Sequence, residues 1–181
     1  MSKIKLFISL QVFVVIYSIS SCKKIKEKNE TVIFKKDISF LFSKGQKLFI
    51  DINNDKIYDF KCLSIPFGNR FRKVIIPINA KNKISDDSKI LEKGVVINEN
   101  LFLSNEFDFN KLGSSKESII NNKYIGVQFD AGGFMHYGWI KFSLEPKDYK
   151  NLNTPIYYQK IKLNIHETAY NLNYDKPIVI D

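Results

Sequence analysis

The chain has 181 residues, a formal net charge of +9 and an aromatic content of 14%, with only 8 Gly and 5 Pro. No internal repeat is visible, and the length suits one domain. The positive charge is no argument for nucleic acid, because the lysines are scattered and no groove-reading motif accompanies them.

Lys3 and Lys5 open the chain, an apolar run follows from Leu6 to Ile19, and Ile19-Ser20-Ser21-Cys22 closes the segment. This is the layout of a secretory signal. The run is about fourteen residues long, short of the roughly twenty that a spanning helix needs. Its end resembles a bacterial lipobox, in which a branched residue and two small ones precede a cysteine that is lipidated. The expectation is a lipoprotein signal peptide over 1–21 and lipidation at Cys22. An uncleaved anchor or a plain secretory signal is the alternative. Buried acyl chains would hold the protein on a membrane, at about 0.8 kcal/mol per CH₂. Lys23, standing where Asp would retain a lipoprotein at the inner membrane, points to the outer membrane. Processing would leave 160 residues with a net charge of +7.

Residues 22–30 read as a flexible tether, polar and charged with little to bury. Lys23, Lys24, Lys26 and Lys28 would favour an anionic membrane surface beside the lipid.

From Thr31 to the last residue the pattern is that of a single β-domain, 31–181. Leu48, Ile50 and Ile52 share one phase, as do Val74, Ile76 and Ile78, then Ile125, Val127 and Phe129. Ile140, Phe142 and Leu144 alternate with Lys141, Ser143 and Glu145, and Ile161, Leu163 and Ile165 alternate with Lys160, Lys162 and Asn164. A period of two marks half-buried strands, and many short strands with Asn, Asp and Gly between them predict an all-β antiparallel sandwich. Ala131-Gly132-Gly133 predicts a hairpin turn. Asp86 to Lys93, with Asp near its start and Gly94 past its end, predicts a short helix. Residues 98–118 read as a long irregular connection. Cys62, with Cys22 consumed by lipid, is expected to be a buried and inert thiol.

Two segments could carry chemistry. Asp51, Asn53, Asp55 and Asp59 place oxygen-bearing side chains at positions one, three, five and nine of a loop, with the Ile57 carbonyl as a further donor. That spacing can wrap a hard cation, so weak Ca²⁺ binding is one reading and a polar turn the other. Lys56 stands where calcium loops usually have Gly, and Cys62 where an EF-hand has Glu. The second segment is Gly132–Ile140, which holds the single tryptophan. Carrying the phase back from Ile140 turns His136 inward and Tyr137 and Trp139 outward, as a platform for glycan or protein; the alternative is that both rings pack in a core. His136 and His166 are too few for zinc and are expected to be hydrogen-bonded structural residues.

Asp51–Phe60, Tyr124–Phe129 running on to His136-Tyr137-Gly138-Trp139-Ile140, and Ala169-Tyr170 together resemble a group of uncharacterised exported bacterial proteins. In that group an Asp/Asn-rich segment precedes a Tyr-x-Gly-hydrophobic-x-Phe strand, a His-Tyr-Gly-Trp strand and a late Ala-Tyr pair. The resemblance implies an extracytoplasmic β-sandwich and no activity. The functional expectation is a lipid-anchored binding or structural module of the envelope, non-enzymatic, with a membrane and a glycan or envelope protein as partners. The alternative is a hydrolase acting on envelope polysaccharide, for which the fold alone is no evidence.

Overall fold

The computed structural model describes residues 30–86, 90–101, 103–113, 119–146 and 160–181. The expected signal segment, Cys22 and nearly all of the expected tether lie outside the described residues.

The fold is all-β and consistent with a sandwich. In chain order the strands are β1 (Thr31–Leu41), β2 (Lys47–Ile50), β3 (Phe60–Phe67), β4 (Arg70–Pro77), β5 (Lys83–Ser85), β6 (Val96–Ile97), β7 (Leu103–Ser104), β8 (Phe107–Asp108), β9 (Ile120–Ala131), β10 (Phe134–Pro146), β11 (Ile161–Asn171) and β12 (Ile178–Val179). A short 3₁₀ turn covers Phe109–Gly113. One sheet has the order β1-β11-β10-β9-β5-β7, a second β2-β3-β4-β8, and a third is the pair β12-β6. All pairings are antiparallel.

The main core lies between the two larger sheets. Ile125, Val127 and Phe129 from β9, Ile140, Phe142 and Leu144 from β10, and Ile161, Leu163 and Ile165 from β11 meet Ile50, Phe60, Cys62 and Ile75. The inward phases expected for β9, β10 and β11 are therefore the observed ones. On β4 the phase is shifted by one: Ile75, not Val74 or Ile76, enters this core, opposite Cys62. Cys62 is fully buried, and burial pushes its thiol above the ordinary range.

The β9–β10 hairpin turns on Gly132 and Gly133, both at positive φ (64° and 92°), between the paired residues Ala131 and Phe134. Two left-handed residues in a two-residue turn match the twist of the strands, and glycine adopts them without steric cost. The helix expected over 86–93 is not formed at its described end. Leu91 makes an isolated bridge to Tyr124, and Lys93-Gly94 is a turn with Gly94 at φ 86°. Residues 87–89 lie outside the described residues. The apolar side of Leu91 is better buried against the sheet than on a solvated helical turn.

A second, smaller core covers the opposite face of the larger sheet. Tyr124, Tyr137, Trp139 and Ala169 point there and are capped by Leu91, Ile97, Ile178 and Ile180, with Val95 and Leu101 against them. The chain around β6 and β12 is the covering layer. Gly126 lets it come close, since a Cβ there would meet Leu101 and Leu91 at 3.0 and 3.1 Å.

Candidate functional site

The acidic loop joins β2 to β3. Asp51 Oδ1 accepts the Asn54 N–H at 2.6 Å and its Oδ2 accepts the Lys56 N–H at 2.9 Å. Asp55 Oδ1 accepts the Ile57 N–H at 2.7 Å, and its Oδ2 accepts from Asn53 Nδ2 at 2.9 Å. These are short-range turns in which a carboxylate replaces a backbone acceptor. Asn54 and Lys56 take positive φ, 62° and 72°. Lys56 thus makes the tight bend usually left to glycine, at a cost of about 1–2 kcal/mol.

Asp59 differs from its three companions. It is buried, and its Oδ2 accepts the Ile52 N–H at 2.8 Å. Its backbone also ties the loop to the next corner: the Asp59 carbonyl accepts from the Ile78 N–H and from Asn82 Nδ2. Burial pushes the Asp59 carboxyl up to about 7, the Ile52 N–H works against the rise, Asp51 and Asp55 add to it, and Lys36 offsets part of it. The group is braced inward, whereas Asp55 is exposed and Asp51 and Asn53 are half-buried. Among the described residues, no three His, Cys, Asp or Glu side chains converge to hold a metal ion. A cation at this loop would draw on Asp51, Asp55, the Asn53 amide and backbone carbonyls.

The raised Asp59 sets a pH dependence. Between about pH 4 and pH 7 the folded state binds more protons than the unfolded chain, so stability falls as pH rises through this window. Asp59→Asn keeps an acceptor for Ile52 without the charge. Thermal melts at pH 5 and pH 8 are expected to show a loss in the wild type and a flatter response in the variant. Equal slopes would remove Asp59 as the titrating group. Lys73, buried in β4 and pushed down to about 8 by burial against the opposing pull of Asp108, acts only above this window.

The aromatic strand departs from expectation. Tyr137 and Trp139 do lie on the phase opposite Ile140, but that face is covered: Tyr137 is 3% and Trp139 1% exposed. The Trp139 ring meets Tyr124 edge-on at 5.3 Å between centroids. An exposed platform at Tyr137 and Trp139 is thus excluded in this conformation, and core packing is what the two rings do. The covering segments are distant in sequence, which is why strand phase alone could not place them. Trp139 Nε1 is buried without a hydrogen-bond partner among the described residues.

Both histidines are hydrogen-bonded. His136 Nδ1 donates to the Asn171 carbonyl at 2.9 Å, and its ring stacks on Phe129. His166 Nε2 lies 2.8 Å from Ser143 Oγ, which also accepts the Asn122 N–H at 3.1 Å. No sequence motif marked this contact. Its setting is a row of bulges: register shifts fall at Lys35/Ile38 in β1–β11, at Lys141/Phe142 in β10–β11 and at Phe142/Leu144 in β9–β10. A bulge leaves an extra residue out of the ladder. Ser143 satisfies one such N–H from a neighbouring strand, so the pair has a structural task. Ser143 is itself buried, which leaves little room for a substrate.

A charged group that sequence reasoning missed sits at the outer side of the smaller sheet. Arg72 Nε donates to Asp108 Oδ2 at 2.7 Å, and Arg72 also pairs with Glu106. Asp108 Oδ1 accepts the Asn110 N–H, and Asn110 Oδ1 accepts the Lys73 N–H at 2.6 Å. The group pins β8 and the 3₁₀ turn to β4.

No protein-family model, no curated protein and no solved structure matches this chain.

Proposed function

We propose that this chain is a lipid-tethered, extracytoplasmic binding or structural module, held on the outer membrane through Cys22, with weak calcium binding at the 51–59 loop. The observation that carries the reading is the Ile19-Ser20-Ser21-Cys22 segment, with a short polar stretch between it and the strand that begins at Thr31. The burial of Tyr137 and Trp139 removes the contact on which a glycan ligand rested, so an envelope protein is the better partner. The exposed pair Phe49 and Tyr58, 5.2 Å apart beside the loop, supports a protein contact.

Fractionation of cells expressing Cys22→Ala tests the tether. The wild type is expected in membranes in its processed form; a Cys22→Ala chain that is made, processed and retained in membranes alike overturns the reading. Melting with and without millimolar calcium tests the loop. A site filled at tenfold its Kd stabilises by about 1.4 kcal/mol, a rise of roughly 3–6 °C for a domain of this size. The rise is expected to vanish in Asp55→Ala, and no shift in the wild type removes calcium from the proposal.

A further inference from the structure

We propose that the end of the sandwich carrying Phe134, Leu172 and Tyr174 rests on the bilayer to which the chain is tethered; this inference rests on the lipidation of Cys22 proposed above.

Three exposed apolar side chains gather at this end. Phe134, Leu172 and Tyr174 are 54%, 48% and 56% exposed, and the rings of Phe134 and Tyr174 lie 4.9 Å apart. The segment that presents them is held firmly. The Asp175 N–H donates to the Met135 carbonyl at 2.9 Å, the Asn173 N–H to Asn171 Oδ1 at 3.0 Å, and Asn171 Nδ2 to the Pro177 carbonyl at 2.8 Å. Asn171 is itself fully buried. Two aromatic rings fixed at a protein tip, one with a polar hydroxyl, suit the boundary between headgroups and acyl chains.

The start of the described chain identifies the occupant. The Leu172 N–H donates to the Glu30 carbonyl at 2.9 Å, so the chain enters the fold beside this patch, at the same end of the sheet as the β9–β10 turn. From Glu30 back to Cys22 is eight residue steps, a reach of at most about 27 Å. Within the seven intervening residues four are Lys and one is Glu. A basic stretch of that kind is drawn to anionic headgroups, by about 1 kcal/mol per charge near the surface. The lipid and the lysines therefore act at the end of the fold where Phe134 and Tyr174 are exposed. Asp175 and Glu30 also lie there, so the contact is apolar and interfacial, with the attraction supplied by the tether.

Phe67 supplies the control. Strand β3 leaves the corner where Asp59, Asn82 and Asp130 are hydrogen-bonded together and runs from Phe60 to Phe67, about 23 Å away along the strand. Phe67 is exposed too. The full lipidated chain, carrying benzoylphenylalanine at Phe134, at Tyr174 or at Phe67, is reconstituted into vesicles of phosphatidylethanolamine and phosphatidylglycerol, washed with alkaline carbonate and irradiated. Lipid adducts are expected at Phe134 and Tyr174 at tenfold or more the level at Phe67. Retention through the wash with no excess over Phe67 overturns the docking and leaves the tether standing. Loss of the protein in the wash overturns the tether, and the docking with it. Adducts at Phe134 and Tyr174 confined to this chain or a second copy of it overturn the membrane contact.

Discussion

Trp139→Ala is expected to destabilise the fold by about 3–5 kcal/mol, the range for truncating a buried Trp or Phe. For a domain of this size that lowers the melting temperature by roughly 6–20 °C. The ring is sealed between the larger sheet and the layer formed by Leu91, Ile97, Ile178 and Ile180, and its edge-on contact with Tyr124 goes with it. Trp139→Phe should cost less than half as much. It keeps an aromatic ring in place and deletes an indole N–H that is buried without a partner among the described residues, a group whose desolvation costs about 1–3 kcal/mol. Thermal or urea unfolding of the two variants reads this directly. An alanine variant as stable as the wild type would mean that the covering layer does not hold in solution, and would return Trp139 to the surface.

Gly138→Ala, one residue earlier, is expected to be damaging for a different reason. An added Cβ would stand 2.4 Å from the Ala169 carbonyl oxygen and 3.3 Å from both Tyr170 and Val127 side-chain atoms. The obstacle is backbone of the neighbouring strand, paired with Gly138 through Tyr170, and cannot rotate away as a flexible side chain could. Overpacking typically costs 1–3 kcal/mol and more where backbone must move, so a loss of about 3 kcal/mol is expected, seen as poor soluble yield or a lower urea midpoint. Gly138 is needed for space, not for an unusual φ. Wild-type stability in this variant would show that β10 and β11 can separate at this level without cost.

These two neighbours show what was legible in the sequence. The alternation of β9, β10 and β11 gave the inward faces correctly because a period of two is a property of each strand alone. It could not supply the second core, whose lid comes from residues 90–101 and 178–180. A signal for it was nonetheless present. On β10 the outer phase carries Tyr137 and Trp139, followed by Lys141, Ser143 and Glu145, with Tyr124 and Ala169 on the flanking strands. Large apolar residues on both phases mark a strand buried on both sides. The helix expected near Asp86 rested on end signals without a supporting apolar period. At the acidic loop the sequence showed four oxygen donors but not that Asp59 would be turned inward against Ile52. That orientation is set by the Ile78 and Asn82 contacts, which no local pattern contains.

The bent outer margin of the larger sheet has a consequence for how copies of the protein coexist. Strand β1 is eleven residues long and, among the described residues, paired on one side only, by β11. A straight margin of that length is a template on which a second molecule can extend the sheet. The break in register after Lys35, with Asp37 at φ 44°, interrupts the row of free amide and carbonyl groups, and Lys35 and Lys36 add charge beside it. No uninterrupted run longer than about half the strand is left to bind an incoming chain. The same irregularity that curves the sheet therefore guards against edgewise polymerisation when the protein is crowded.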